Sequence, residues 1–220
     1  MLSVLTYSDV GGHANNEDAF AVQCHPLAPA AVVCVVADGQ GGRAGGGPAA
    51  QLACRAGLEI LVKSPPDKLS DQRLWVGLLR TVDEAVRKDE SAGFTTFVGM
   101  CVTADRVVGV SSGDSAALVV TPTGAAELTR GQQKNPPVGS GMAVAVPFEA
   151  ELDEPWQLLV MTDGVWKYVG WKRVIEVAQR ARGAELLLQL DKAARLPGSG
   201  QFPDDFTVVL VEPLNESQHS

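Results

Sequence analysis

Between Phe94 and Leu128 the chain reads FTTFVGMCVTADRVVGVSSGDSAALVVTPTGAAEL. After Gly93 the hydrophobic period drops to two, or to unbroken β-branched residues, which is the signature of strands rather than helices. The pattern predicts antiparallel strands at Phe94–Thr103, Arg106–Ser111 and Ala116–Thr121, with a short piece at Ala125–Leu128. Upstream, further β-rich runs lie at Leu2–Tyr7, Ala19–Cys24 and Ala31–Ala37, and a glycine-rich loop occupies Gly39–Gly47. Pro48 suits a first helical turn, and Ala49, Leu52, Ala53, Ala56 and Ile60 then recur on one face up to Lys63, where Ser64-Pro-Pro-Asp67 stops the helix. Leu74, Leu78, Val82 and Val86 mark a second helix, which Ser70 is placed to cap and which should run to about Glu90.

Downstream, Gly131–Gly141 has loop composition. Strands are expected near Ala143–Phe148, at Gln157–Met161 and at Phe206–Val211, with helices at Trp171–Arg182 and Ala184–Arg195. There is no internal repeat and no dividing linker, so residues 1–213 read as one mixed α and β domain followed by a polar tail, 214–220.

A chain of 220 residues with 45% apolar content can bury a core without staples. Eighteen Lys and Arg against 26 Asp and Glu give a net charge of −8, the wrong sign for tracking phosphate backbones, so no nucleic-acid partner is expected. The apolar run Ala28–Ala37 is about half of the roughly 20 residues a membrane helix needs. The N-terminal MLSVLTYSDVGG lacks a basic region and a cleavage site, so the sequence predicts a cytoplasmic protein with no membrane partner, and a monomer. Cys24, Cys34, Cys54 and Cys101 form no CxxC pair and read as small buried thiols. His13, His25 and His219 share no ligand spacing, which leaves zinc without support.

The chemistry lies in aspartates at strand ends. AVVCVVAD ends at Asp38, VVGVSSGD at Asp114 and QLLVMTD at Asp163, while Asp204-Asp205 precede FTVVLVE. One Asp-Gly is an ordinary turn. Several such carboxylates at the rim of one core would repel one another unless a cation neutralised them, and oxygen donors without Cys or His favour Mg²⁺ or Mn²⁺. A rival reading takes Gly39-Gln-Gly41-Gly-Arg-Ala44 as a dinucleotide fingerprint with Glu59 as its acid. Asp38 would then face the pyrophosphate, and Glu59 falls within a helix rather than at a strand end, so this reading is set aside.

Six blocks, in order, carry a family resemblance: SDVGGHANNEDAF (Ser8–Phe20), VVADGQGGRAGG (Val35–Gly46), TTFVG (Thr95–Gly99), VGVSSGDSAA (Val108–Ala117), LLVMTDGVW (Leu158–Trp166) and DDFTVVLV (Asp204–Val211). Through them the chain resembles the metal-dependent protein phosphatases of type 2C, the PPM family, in their compact bacterial form. The resemblance implies an α+β fold, a four-layer α-β-β-α sandwich of two antiparallel sheets flanked by helix pairs. It implies two Mn²⁺ or Mg²⁺ ions, with Asp38 bridging them, Gly39 giving its carbonyl, and Asp163 and Asp204 completing the first site. Glu17 and Asp18 would act on the second ion, mainly through water. The catalytic set would be Asp38, Asp163 and Asp204, acting through a water or hydroxide that bridges the metals and hydrolyses phosphoserine or phosphothreonine in proteins. Partners would be phosphorylated proteins and a cognate Ser/Thr kinase.

Four departures from the family pattern stand out. His13 occupies the position of an arginine phosphate anchor, and Gln40 that of a histidine proposed as general acid in animal members. Asp114 matches a third-metal ligand, but the partner aspartate is replaced by Lys167, which could stand in for that metal, block it or point to solvent, so the third site is expected to be weak or absent. The interval from Asp114 to Asp163 is short, which leaves about 129–145 as a reduced flap and predicts a more open site with looser specificity. These departures keep a second reading alive, a catalytically weak phosphoprotein-binding or scaffolding module.

Overall fold

The computed structural model describes residues 1–12, 14–40, 45–153 and 155–214. His13, Gly41 to Ala44 of the glycine-rich loop, and 215–220 of the polar tail lie outside the described residues. In chain order the elements are β1 (Leu2–Asp9), β2 (Asp18–His25), β3 (Ala28–Asp38), α1 (Gly46–Lys63), α2 (Gln72–Lys88), β4 (Phe97–Val102), β5 (Arg106–Ser112), β6 (Ala116–Thr121) and β7 (Gly124–Glu127). They continue with β8 (Val146–Glu151), β9 (Gln157–Met161), α3 (Asp163–Val169), α4 (Trp171–Arg180), α5 (Gly183–Ala194) and β10 (Phe206–Pro213). One sheet has the order β2-β3-β4-β5-β8 and the other β1-β10-β9-β6-β7, and every pairing is antiparallel.

Side-chain alternation builds the layers. On β3, Val33, Val35 and Ala37 pack beneath α1 and α2 against Ala53, Leu79 and Val82. The intervening Cys34 and Val36 meet Val98, Val160 and Val209 in the space between the sheets. On β10, Val208 and Leu210 face Val174, Val177 and Leu190 of the other helical layer. Both faces of each sheet are therefore covered, and the inner strands read as continuous apolar runs without the alternation of a half-wetted sheet. The four-layer sandwich stands, with one refinement: α3 joins α4 and α5, so the second layer holds three helices.

Two local expectations are corrected. The second helix is capped by Asp71, not Ser70: Asp71 is extended and its carboxylate accepts the Arg73 N–H at 2.9 Å. The Ser70 hydroxyl instead donates to the Asp67 carbonyl at 3.3 Å. Asp71→Ala should then lower stability in urea unfolding by about 1 kcal/mol, and Ser70→Ala by only a few tenths. Cys24 is exposed on the edge strand β2, whereas Cys34, Cys54 and Cys101 are buried, and all four are free thiols. His25 is buried and satisfied by backbone, its Nε2 lying 3.0 Å from the Ser64 carbonyl. Among the described residues no helix is long and apolar enough to cross a membrane.

Candidate active site

The strand-end aspartates meet at one end of the sandwich. Asp38 closes β3, Asp18 opens β2 directly opposite it, Asp163 follows β9 as the first residue of α3, and Asp204 lies just before β10. Asp114 sits in the turn between β5 and β6. Asp38, Gly39, Asp114, Asp163 and Asp204 line one cavity of about 370 Å³. Gln40 is also on its wall, and Glu17 and Asp18 stand behind it beside Gly39.

Backbone clamps fix these positions. The Thr95 hydroxyl donates to the Asp38 carbonyl at 2.8 Å, the Thr96 N–H donates to the same oxygen at 2.9 Å, and the Asp38 N–H is accepted by the Thr96 hydroxyl at 2.9 Å. Thr162 donates its hydroxyl proton to Asp18 at 2.8 Å and accepts the Thr207 N–H at 3.2 Å, which ties β2 to the ends of β9 and β10. Asp205 is buried and accepts the N–H groups of Gly11 at 2.8 Å and Glu17 at 2.7 Å. Both neighbouring aspartates line the cavity, and the Asp205 carboxylate in addition holds the turn that delivers Glu17. This turn demands glycine: a Cβ on Gly11 would lie 2.0 Å from the Asp204 backbone, and one on Gly164 would lie 1.9 Å from the Asp205 carbonyl oxygen.

The cluster resists being charged. Burial, and then the fields of Asp18, Asp163, Asp114 and Asp204, hold the Asp38 carboxyl well above the usual carboxylate range. Asp163 is raised by burial and by Asp114, with Lys167 opposing. Asp18 is pushed up to about 7 by burial, despite hydrogen bonds from Thr207 and Thr162 that favour its charged form. One Glu17 carboxylate oxygen, Oε2, is buried without a hydrogen-bond partner. An all-oxygen, strongly anionic donor set with an orphaned carboxylate oxygen suits a hard divalent cation. Among the described residues, however, no three His, Cys, Asp or Glu side chains close around a single point as a finished metal cage.

Two of the carboxylates already face ammonium groups. Lys167, one helical turn after Asp163, places Nζ 3.4 Å from Asp163 Oδ2, so it turns toward the cavity with half of its side chain exposed. Lys134 Nζ lies 2.5 Å from Asp114 Oδ2. Lys134 is the functional candidate that sequence reasoning missed, and its one signal is that no other Lys or Arg stands between Arg130 and Lys167.

The loop carrying Lys134 belongs to the segment expected as a reduced flap. It lies along the cavity rim, where Thr95 and Val138 exchange N–H to carbonyl bonds of 3.0 and 3.1 Å. The Gly113 N–H donates to the Gln133 carbonyl at 3.0 Å, and the Gln132 side-chain amide donates to the Ser115 carbonyl at 2.6 Å.

Known proteins share this fold. By sequence, no curated protein matches the chain. By structure, the serine/threonine phosphatase of S. agalactiae superposes with a TM-score of 0.81 at 18% identity, covering 97% of this chain and 100% of that one. The serine/threonine phosphatase of Mycobacterium tuberculosis gives a TM-score of 0.78 at 23% identity, over 97% and 99%. The serine/threonine phosphatase of Staphylococcus aureus gives 0.78 at 18% identity, over 98% and 96%. These similarities establish a shared fold. Residues 7–193 match the family model of protein phosphatase 2C, and since that span is most of the chain, the protein belongs to the protein phosphatase 2C family.

Proposed function

We propose that this chain hydrolyses phosphoserine and phosphothreonine in proteins with the help of divalent Mn²⁺ or Mg²⁺. The observation that carries the reading is the wall of Asp38, Asp163 and Asp204 in one cavity, with the Asp38 and Asp163 carboxyls held above their usual range, in a member of this family. When bound, the divalent ions would supply charge neutralisation and an acidified water near neutral pH. Asp38, the Gly39 carbonyl, Asp163 and Asp204 are the proposed ligands, with Glu17 and Asp18 acting mainly through water and Asp114 belonging to a weak third site. Thr95 and Thr96 orient Asp38, and Asp205 orients Glu17. His13 is the proposed phosphate contact of the 8–20 segment.

We infer further that the protein is a single domain over residues 1–213 and acts as a monomer on cytoplasmic phosphoproteins, the products of a Ser/Thr kinase. A second reading is favoured by one observation: Lys134 and Lys167 already pair with Asp114 and Asp163. It makes the chain a weakly catalytic module that binds phosphoproteins.

One assay separates the two. p-Nitrophenyl phosphate and a phosphothreonine peptide are each incubated with Mn²⁺, Mg²⁺ or EDTA. Hydrolysis of both that EDTA abolishes is the expected result. Hydrolysis of the aryl ester alone would point to poor phosphate grip and to Gln40, which cannot donate a proton to an alkoxide leaving group. No hydrolysis with metal bound would leave the binding module.

A further inference from the structure

Lys134 and Lys167 are the two cationic side chains on the cavity wall among the described residues, and they are held differently. Lys167 is on α3, one turn from its carboxylate partner. Lys134 is presented by a loop, and that loop is pinned from behind by a residue remote in sequence. Asp83, on α2 and only 4% exposed, accepts three backbone N–H groups: Gly139 at 2.7 Å, Gly141 at 3.0 Å and Ala143 at 3.0 Å. A buried carboxylate receiving three N–H donors is a strong anchor, and it fixes the C-terminal half of the loop just as the Thr95–Val138 pair fixes its middle. The Lys134 side chain itself is 64% exposed, so its stem is free to swing while its Cα is held.

An ammonium has three donors, and Asp114 occupies one. Among the described residues no other acceptor takes the remaining donors, which can meet an anion entering the cavity. Resting on the proposed phosphatase reading, we propose that Lys134 is a phosphate-binding residue, shared between Asp114 and the incoming phosphate monoester, and that Asp83 is the positioning residue that keeps it there. Lysine supplies a compact, mobile charge to the phosphate rather than a rigid fork, so it can follow the group into the cavity.

The test uses the full chain saturated with Mg²⁺, and inorganic phosphate as the probe, titrated by calorimetry and as a competitive inhibitor. Lys134→Ala should weaken phosphate binding and raise KM for a phosphothreonine peptide by about tenfold, the loss expected for one charge-assisted hydrogen bond, with a smaller change in kcat. Mg²⁺ affinity should be unchanged or tighter, because a competing ammonium has left the carboxylates. Asp83→Asn keeps an acceptor for Gly139 and Gly141 but sets an amide against the Ala143 N–H, so it should reproduce part of the phosphate effect. Its effect should vanish in the Lys134→Ala background if the two act as one unit. Unchanged phosphate affinity in Lys134→Ala, or no phosphate binding by the wild type, would overturn the proposal. Full additivity of the two substitutions would remove Asp83 from it. Should the wild type bind phosphate yet hydrolyse nothing, the phosphatase reading fails while the calorimetric comparison still decides the role of Lys134.

Discussion

Asp38→Asn should lower kcat by about a thousandfold or more, since it removes the carboxylate on which the proposed ion pair depends. The same substitution should raise the melting temperature of the protein in EDTA. The reason is electrostatic. Asp38 ends β3 opposite Asp18 on β2, a like-charged cross-strand pair, and Asp163, Asp114 and Asp204 add to the repulsion. An amide of the same shape relieves that repulsion, and the clamp on residue 38 uses only its backbone N–H and carbonyl, so the substitution leaves it intact. Asp163→Asn should behave similarly but gain less stability, because it also gives up the Lys167 contact. Activity assays and thermal melts with and without Mn²⁺ read both effects. Turnover close to that of wild type in Asp38→Asn would sink the ligand assignment, and a lower melting temperature in EDTA would sink the account of the cluster as a repulsive one.

The parts of this protein that were legible in its sequence are those written in local composition. The runs at Gln157–Met161 and Phe206–Val211 are so rich in Leu and Val that strand boundaries came within two residues. Alternation on β3 was hidden, because Cys34 and Val36 face one core while Val33, Val35 and Ala37 face another. Asp38, Asp114, Asp163 and Asp204 stood out as carboxylates at the ends of apolar runs, and these are the residues that share the cavity. Everything that holds them in place was illegible. The Thr95 clamp on Asp38 spans 57 positions, and the Asp83 anchor of the Lys134 loop spans 56 to 60. Such bonds run from side chain to backbone, and a backbone acceptor or donor has no residue identity for a sequence to display. Asp205 illustrates the same limit: beside Asp204 it reads as a second copy of one signal, yet its carboxylate is taken up by the N–H groups of Gly11 and Glu17. Ser70 was the expected cap, and the extended backbone at Asp71 gives that place to its neighbour.

The metal-free protein should lose stability as pH rises, the reverse of ordinary acid denaturation. Asp18 has a reference value of 3.8 and is pushed up to about 7 in the fold, with Asp38 and Asp163 raised in the same direction. Between about pH 4 and 7 the folded state therefore binds more protons than the unfolded one, and the slope of unfolding free energy with pH is negative. The stabilisation from protonated carboxyls is complete below about pH 4, is lost as pH climbs through the folded values, and levels off above them. Each tenfold difference in proton affinity between the folded and unfolded states is worth about 1.4 kcal/mol, so the loss is on the order of a few kcal/mol. At roughly 2–4 °C per kcal/mol for a domain of this size, melting in EDTA should fall by about 5–10 °C between pH 5 and 8. Divalent cations compete with those protons, so saturating Mn²⁺ should raise the melting temperature most at pH 8 and least at pH 5. Asp18→Asn, whose amide oxygen still accepts the Thr162 hydroxyl, should flatten the EDTA profile. A profile in EDTA that rises toward pH 8, or a Mn²⁺ effect that does not grow with pH, would show that these carboxyls carry their charge comfortably without a cation. The electrostatic case for a metal-dependent site would then fall with it.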